Sequence, residues 1–119
     1  MVFYFDHRFT QVQFGVKKLR ESLRKNGVFF VERFLFDYAG NKVEDGVITV
    51  SFTAQNFRVR PSGELQAEGF EFLVDGKDIH IIGADATGAM YGLLELSEDI
   101  ALGGLKSVES KVRNPFLKK

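Results

Sequence analysis

Few residues of this chain are of a type that does chemistry, and their spacing indicates what each is for. His7 and His80 are its only imidazoles, and it has no cysteine. That removes disulfides, thiol catalysis and cysteine zinc sites. A zinc ion draws three or four ligands from His, Cys and carboxylates. His80 sits in Ile79-His80-Ile81-Ile82, where strand alternation turns it away from Ile79 and Ile81. It reads as a partly exposed strand histidine, and no metal site is expected.

Acidic residues cluster at Glu44/Asp45, at Asp75/Asp78 and at Glu95/Glu98/Asp99. Two carboxyls that work as acid and base on a glycosidic bond face each other across a cleft, about 5–9.5 Å apart. Asp75 and Asp78 instead belong to a tight turn, and Glu95 to Asp99 have the spacing of a solvated helix face. The loop Gly83 to Gly88 lies between a strand and a helix, where phosphates are often held. It lacks both the Lys-Ser/Thr pair of a P-loop and the Gly-x-Gly-x-x-Gly pattern. Gly88 and Gly92, four residues apart on one helix, permit close approach to a sheet. With Tyr91, Leu93 and Leu96 they form the expected packing set. No Ser/His/Asp arrangement is supported by motif or spacing. The chain is therefore expected to hold no catalytic residue and no cofactor.

Charge adds little in favour of a polyanionic partner. Sixteen basic residues balance sixteen acidic ones, so neither nucleic acid nor an anionic membrane surface is an expected partner. The basic run Lys17, Lys18, Arg20, Arg24, Lys25 is interrupted by Glu21 and reads as a solvated helix face. No stretch approaches the roughly 18 apolar residues of a membrane-spanning helix. The start, Met1 to Asp6, has no signal-peptide character. Thirteen Phe with no Trp supply apolar area without a polar handle, which favours packing over ligand contact.

The elements that must position these residues follow from period and punctuation. Val2 to Phe5 is a short strand. Thr10 reads as an N-cap, with Gln13 completing a capping box. Val12, Val16, Leu19 and Leu23 then recur at helical spacing until Asn26-Gly27. Val28 to Phe36 reads as a long strand and Tyr38 to Gly46 as a loop. Val47 to Phe52 alternates as a half-buried strand, and Gln55 to Glu68 is a polar connection. Gly69–Val74 and Ile79–Ile82 flank Asp75-Gly76-Lys77-Asp78 as a hairpin. A second helix runs from about Thr87 to Leu102, capped by Asp85 or Thr87 and stopped by Gly103-Gly104, with Met90, Leu93, Leu94 and Ala101 facing the core. The order β-α-β-β-β-β-α predicts an α+β two-layer sandwich: one mixed, mostly antiparallel sheet with two long helices on a single face. The domain is expected over residues 1–108, with 109–119 the start of a linker.

One segment is more specific. Gly69-Phe-Glu-Phe-Leu-Val-Asp-Gly-Lys-Asp-Ile-His-Ile-Ile-Gly83 leads into a helix in which Gly88, Tyr91, Gly92, Leu93 and Leu96 follow a Gly-x-x-Tyr-Gly-Leu-x-x-Leu core. It resembles the N-terminal, non-catalytic domain of β-N-acetylhexosaminidases and α-glucuronidases. The match extends over about Gly69 to Gly104 and is only topological before that. It departs from the commoner pattern at the long loop Gln55 to Glu68. Arg113 to Lys119 resembles the lead-in to a barrel. The resemblance implies an auxiliary domain packed on a (β/α)8 barrel of the same polypeptide, which holds the catalytic carboxylates. It also implies a bacterial, secreted or periplasmic glycoside hydrolase acting on polysaccharide or glycan, and transfers no catalytic residue to this chain. A free-standing carbohydrate- or protein-binding module is the alternative, using Phe29, Phe34, Phe36 or Tyr38 on an open sheet. Carbohydrate platforms more often present Trp and Tyr. Either reading leaves an apolar docking face, through which dimerisation is a further expectation.

Overall fold

The computed structural model describes residues 1–114. In chain order the elements are β1 (Val2–Phe5), α1 (Thr10–Lys25), β2 (Val31–Phe34), β3 (Val47–Phe52), β4 (Phe70–Asp75), β5 (Asp78–Gly83), α2 (Ala86–Gly103) and β6 (Lys111–Arg113). All strands belong to one sheet of order β2-β1-β3-β5-β4-β6. Both helices pack on the same face of it and against each other. The fold is thus the expected α+β two-layer sandwich.

The expected balance of strand directions needs correction. β1 runs parallel to β2 and to β3, and β3 runs parallel to β5; the antiparallel pairs are β4–β5 and β4–β6. Parallel neighbours need a crossover of about a dozen residues or more, usually a helix. Here α1 provides one crossover. Residues 35–46 provide the second as irregular chain, and residues 53–69 with β4 provide the third. Nothing in their sequences advertises a crossover.

Alternation along the strands sorts the core. Phe3, Phe5, Ile48, Val50, Phe52, Phe70, Phe72, Ile79 and Ile81 face the helices and meet Val12, Val16, Leu19 and Leu23 of α1. From α2 come Ala89, Leu93, Leu96 and Ile100, spaced 4, 3 and 4 residues apart. The expected inward face of α2 is therefore partly corrected: Met90 and Leu94 are half-buried and Ala101 is exposed. Burying one such Leu, Ile or Phe stabilises by about 1.5–3 kcal/mol. On the opposite face Tyr4, Leu35, Val47 and Phe57 form a second cluster, with Tyr38, Val43 and Val59 packed on it.

Local chemistry fixes the element ends. Thr10 is the first helical residue of α1 rather than its cap. Phe9 occupies that position with no side-chain cap, and the Gln13 amide turns back to the His7 carbonyl. At the other end Gly27 adopts φ +70°. There the Gly27 and Val28 N–H groups bond the Arg24 and Leu23 carbonyls at 3.0 and 2.9 Å, a Schellman ending. β2 is shorter than its apolar run predicts, because Val28, Phe29 and Phe30 are spent leaving the helix. Lys111–Arg113, placed in the linker on sequence grounds, pairs with β4 as an edge strand. Residues 115–119, the rest of the stretch read as a lead-in to a barrel, lie outside the described residues.

Candidate functional site

Of the acidic clusters, Asp78, Glu95 and Asp99 are committed to structural partners. Asp78 is buried; it accepts the Val47 N–H at 3.0 Å and the Lys42 ammonium at 3.4 Å, tying the starts of β5 and β3 together. Asp75 stays exposed in the hairpin turn, where Gly76 takes φ +62°. Glu95 and Asp99, one turn apart on α2, share the Lys111 ammonium at 2.8 Å each, and Arg113 adds a 3.0 Å bond to Glu95. Burial works to raise the Glu95 pKa, but the bonds from Lys111 and Arg113 outweigh it and leave the carboxyl below its ordinary range. Glu98 is exposed, as are Glu44 and Asp45.

Other buried polar groups also hold elements in place. Asp6 receives two bonds from the Arg8 guanidinium, at 2.9 and 2.8 Å, and one from the Gln55 amide at 3.2 Å. The Arg8 bonds hold its carboxyl below the usual range. Glu71 accepts the Ser62 N–H and hydroxyl at 2.8 and 2.6 Å, fastening the 53–69 connection to β4. His80 Nδ1 lies 2.8 Å from the Thr49 hydroxyl and its ring is 5.9 Å from that of Tyr38. Burial pushes the imidazole pKa down. His7 stands elsewhere, edge-on to Phe34. Among the described residues no three metal-ligating side chains converge.

The Gly83–Gly88 loop is filled by protein. The Asp85 carboxylate caps α2 by accepting the Gly88 N–H at 2.8 Å and also takes the Glu68 N–H at 3.0 Å. A Cβ on Gly88 would fall 2.2 Å from the Gly69 carbonyl oxygen, and one on Gly92 2.5 Å from the Ile81 methyl. Leu93 and Leu96 are fully buried, whereas Tyr91 is 40% exposed and stands apart from this contact. Gly15 escaped the sequence reading. Its absent Cβ admits Leu93 of α2 at 2.7 Å. A glycine in mid-helix, costing about 1 kcal/mol against Ala, was the available signal.

The far face of the sheet is not the open platform the binding-module reading required. Residues 35–46 and 53–69 lie across it, and Tyr38 is packed on Tyr4 and Phe57 rather than presented. Exposed apolar groups gather instead along the β2 side, where Phe29 is 92% exposed and Val31 and Phe36 are about half exposed. A groove runs here between α1 and β2, as two adjoining open hollows of 960 and 720 Å³. Arg20 and Glu32 line both, joined by bonds of 2.5 and 2.9 Å.

No protein-family model matches the chain, and no curated protein sequence does. Solved structures do match. A GH138 enzyme targeting pectin rhamnogalacturonan II superposes with TM-score 0.66 and 18% identity, over 96% of this chain and 12% of its own. A GH115 4-O-methyl-α-glucuronidase with specificity for decorated arabinogalactans gives 0.60 and 16%, over 82% of this chain and 13% of its own. CpGH84D gives 0.55 and 16%, over 94% and 19%. The chain thus has a fold that forms a small part of much longer glycoside hydrolases, and the resemblance drawn from Gly69 to Leu96 holds at the level of fold.

Proposed function

We propose that this chain is a non-catalytic auxiliary domain of a secreted or periplasmic bacterial glycoside hydrolase, bracing a (β/α)8 catalytic barrel in the same polypeptide. One observation carries the reading: the solved neighbours match across 82–96% of this chain but only 12–19% of theirs. What this region supplies to such an enzyme is a packed body, since its buried carboxylates, Asp6, Glu71 and Asp78, are consumed in holding strands and connections together. The catalytic carboxylates belong to the barrel, and the substrate is a polysaccharide or glycan chain. Among the neighbours, the GH84 and GH115 proteins favour the hexosaminidase-like and glucuronidase-like kinship expected from the α2 motif.

The experiment is to produce the longer polypeptide with and without residues 1–113. Removal is expected to lower the yield of folded protein and its melting temperature. Folding and hydrolysis unchanged by the deletion would overturn the brace. Aryl-glycoside turnover by the 119-residue chain, lost on changing one of its own carboxylates, would overturn the non-catalytic assignment.

A further inference from the structure

We infer that the groove between α1 and β2 is a binding subsite for an acidic oligosaccharide, one whose sugars carry uronate carboxylates. The groove is positive in a chain whose net charge is zero. Lys17, Arg20, Arg24 and Arg33 line it against the single carboxylate of Glu32. Arg20 already saturates Glu32 with two bonds. Among the described residues Lys17, Arg24 and Arg33 enter no ion pair. Lys17 and Arg24 therefore remain for a ligand, with Arg33 at the β2 edge, where its guanidinium also reaches the Glu32 carbonyl.

Aromatic rings set two of the arginines in place. Arg24 lies over Phe30 at 5.9 Å and Arg20 over Phe5 at 5.8 Å, so their guanidinium planes are held rather than waving in water. A fixed guanidinium fork suits a carboxylate better than a lysine point charge does. Phe29, 92% exposed at one end of the groove, offers an apolar face for the C–H side of a sugar ring; Phe34 at the other end carries the Arg8 guanidinium over its ring at 5.2 Å. Along β2, from Val31 to Phe34, the groove runs about 10 Å at strand rise, and Val28–Phe30 extend it toward the end of α1, which admits a short oligosaccharide.

Overall charge selects among polyanions. A nucleic acid strand is tracked by a wide basic surface, which a chain of zero net charge does not offer beyond this groove; a short uronate chain carries one carboxylate per sugar and needs only a few cations. An extended acidic peptide would add to β2 through main-chain bonds. Val31 donates inward to Met1, so the Glu32 and Phe34 groups face outward. Arg33 Nη1 already occupies the Glu32 carbonyl at 3.0 Å. The choice of a glycan rests on the glycoside hydrolase reading above; the positive character of the groove does not.

Titration of the 119-residue chain with a galacturonate oligomer, followed by amide chemical shifts, tests this. Shifts are expected at Arg20, Arg24, Glu32 and Arg33, weakening steeply with added salt, and none are expected with a neutral gluco-oligosaccharide of equal length. Arg24→Glu with Arg33→Glu, both on exposed positions, should cost at least about tenfold in affinity, the loss of one or two charge-assisted bonds. Melting curves of the double variant confirm that it folds. No shifts in the groove would overturn the inference, as would equal binding of polyglutamate or of a single-stranded oligonucleotide. Absence of binding beside a positive deletion experiment would sink the subsite alone. Binding beside a negative deletion result would sink the brace alone.

Discussion

Gly92 is the residue on which the meeting of α2 with the sheet depends. A valine there drives its side chain against Ile81 and the Phe70 ring, which stand 2.5 and 3.3 Å from the bare Cβ position. Overpacking of this kind costs about 1–3 kcal/mol, so Gly92→Val should lower the melting temperature clearly, while Tyr91→Ala should barely move it. His80 provides a second test. Its burial depresses the pKa, so the folded chain binds fewer protons than the unfolded one just below the ordinary value of about 6.5. Its contribution is therefore intact above that pH and is lost as the pH falls through the interval beneath it. Melting temperatures measured from pH 7.5 to 5 should decline, and His80→Gln should flatten the decline. Asp6, Glu32 and Glu95, held below their ordinary values, give a separate loss in more acid solution. The glycines and the histidine were legible in the sequence, since i,i+4 spacing and strand alternation are local properties. Gly15, the Arg20–Glu32 pair and the Lys111 bridge were not, because each joins residues 12 to 78 positions apart.

Elements were readable where a local rule governs them. The amphipathic period gave α1, the Asp-Gly turn gave the β4–β5 hairpin, and the Asp85 cap marked the start of α2. Loss of that cap through Asp85→Ala should cost about 0.5–2 kcal/mol, with more for the Glu68 N–H it also satisfies. The sequence could not reveal that β1, β2, β3 and β5 are parallel, because two of the crossovers are irregular chain instead of helix. Nor could it reveal β6. A three-residue stretch with two charged residues becomes a strand as Lys111 reaches Glu95 and Asp99 and lies over Phe72 at 5.3 Å. Lys111→Met removes that attachment and leaves two carboxylates facing each other. Hydrogen exchange at Lys111 to Arg113 should then speed up strongly, with the amides of β3 and β5 unaffected. Exchange that stays slow would mean that the ladder to β4 suffices.

As a whole the molecule is an α+β layer whose far sheet face is covered by its own connections. A partner domain must therefore meet the outer surface of the helices, an edge, or the loops at the strand ends. The chain leaves the sheet at Arg113–Asn114, beside β4, where the Asn114 side chain accepts the Gln66 N–H at 2.9 Å. Interfaces between domains of one chain commonly bury roughly 600–1,500 Å². The central claim is that this body braces a larger catalytic domain. The most direct measurement is amide hydrogen exchange of residues 1–114, compared between the isolated chain and the full polypeptide. Protection gained over one contiguous surface of that size, with the buried core amides unchanged, is the expected result. Identical exchange in the two contexts would contradict the account.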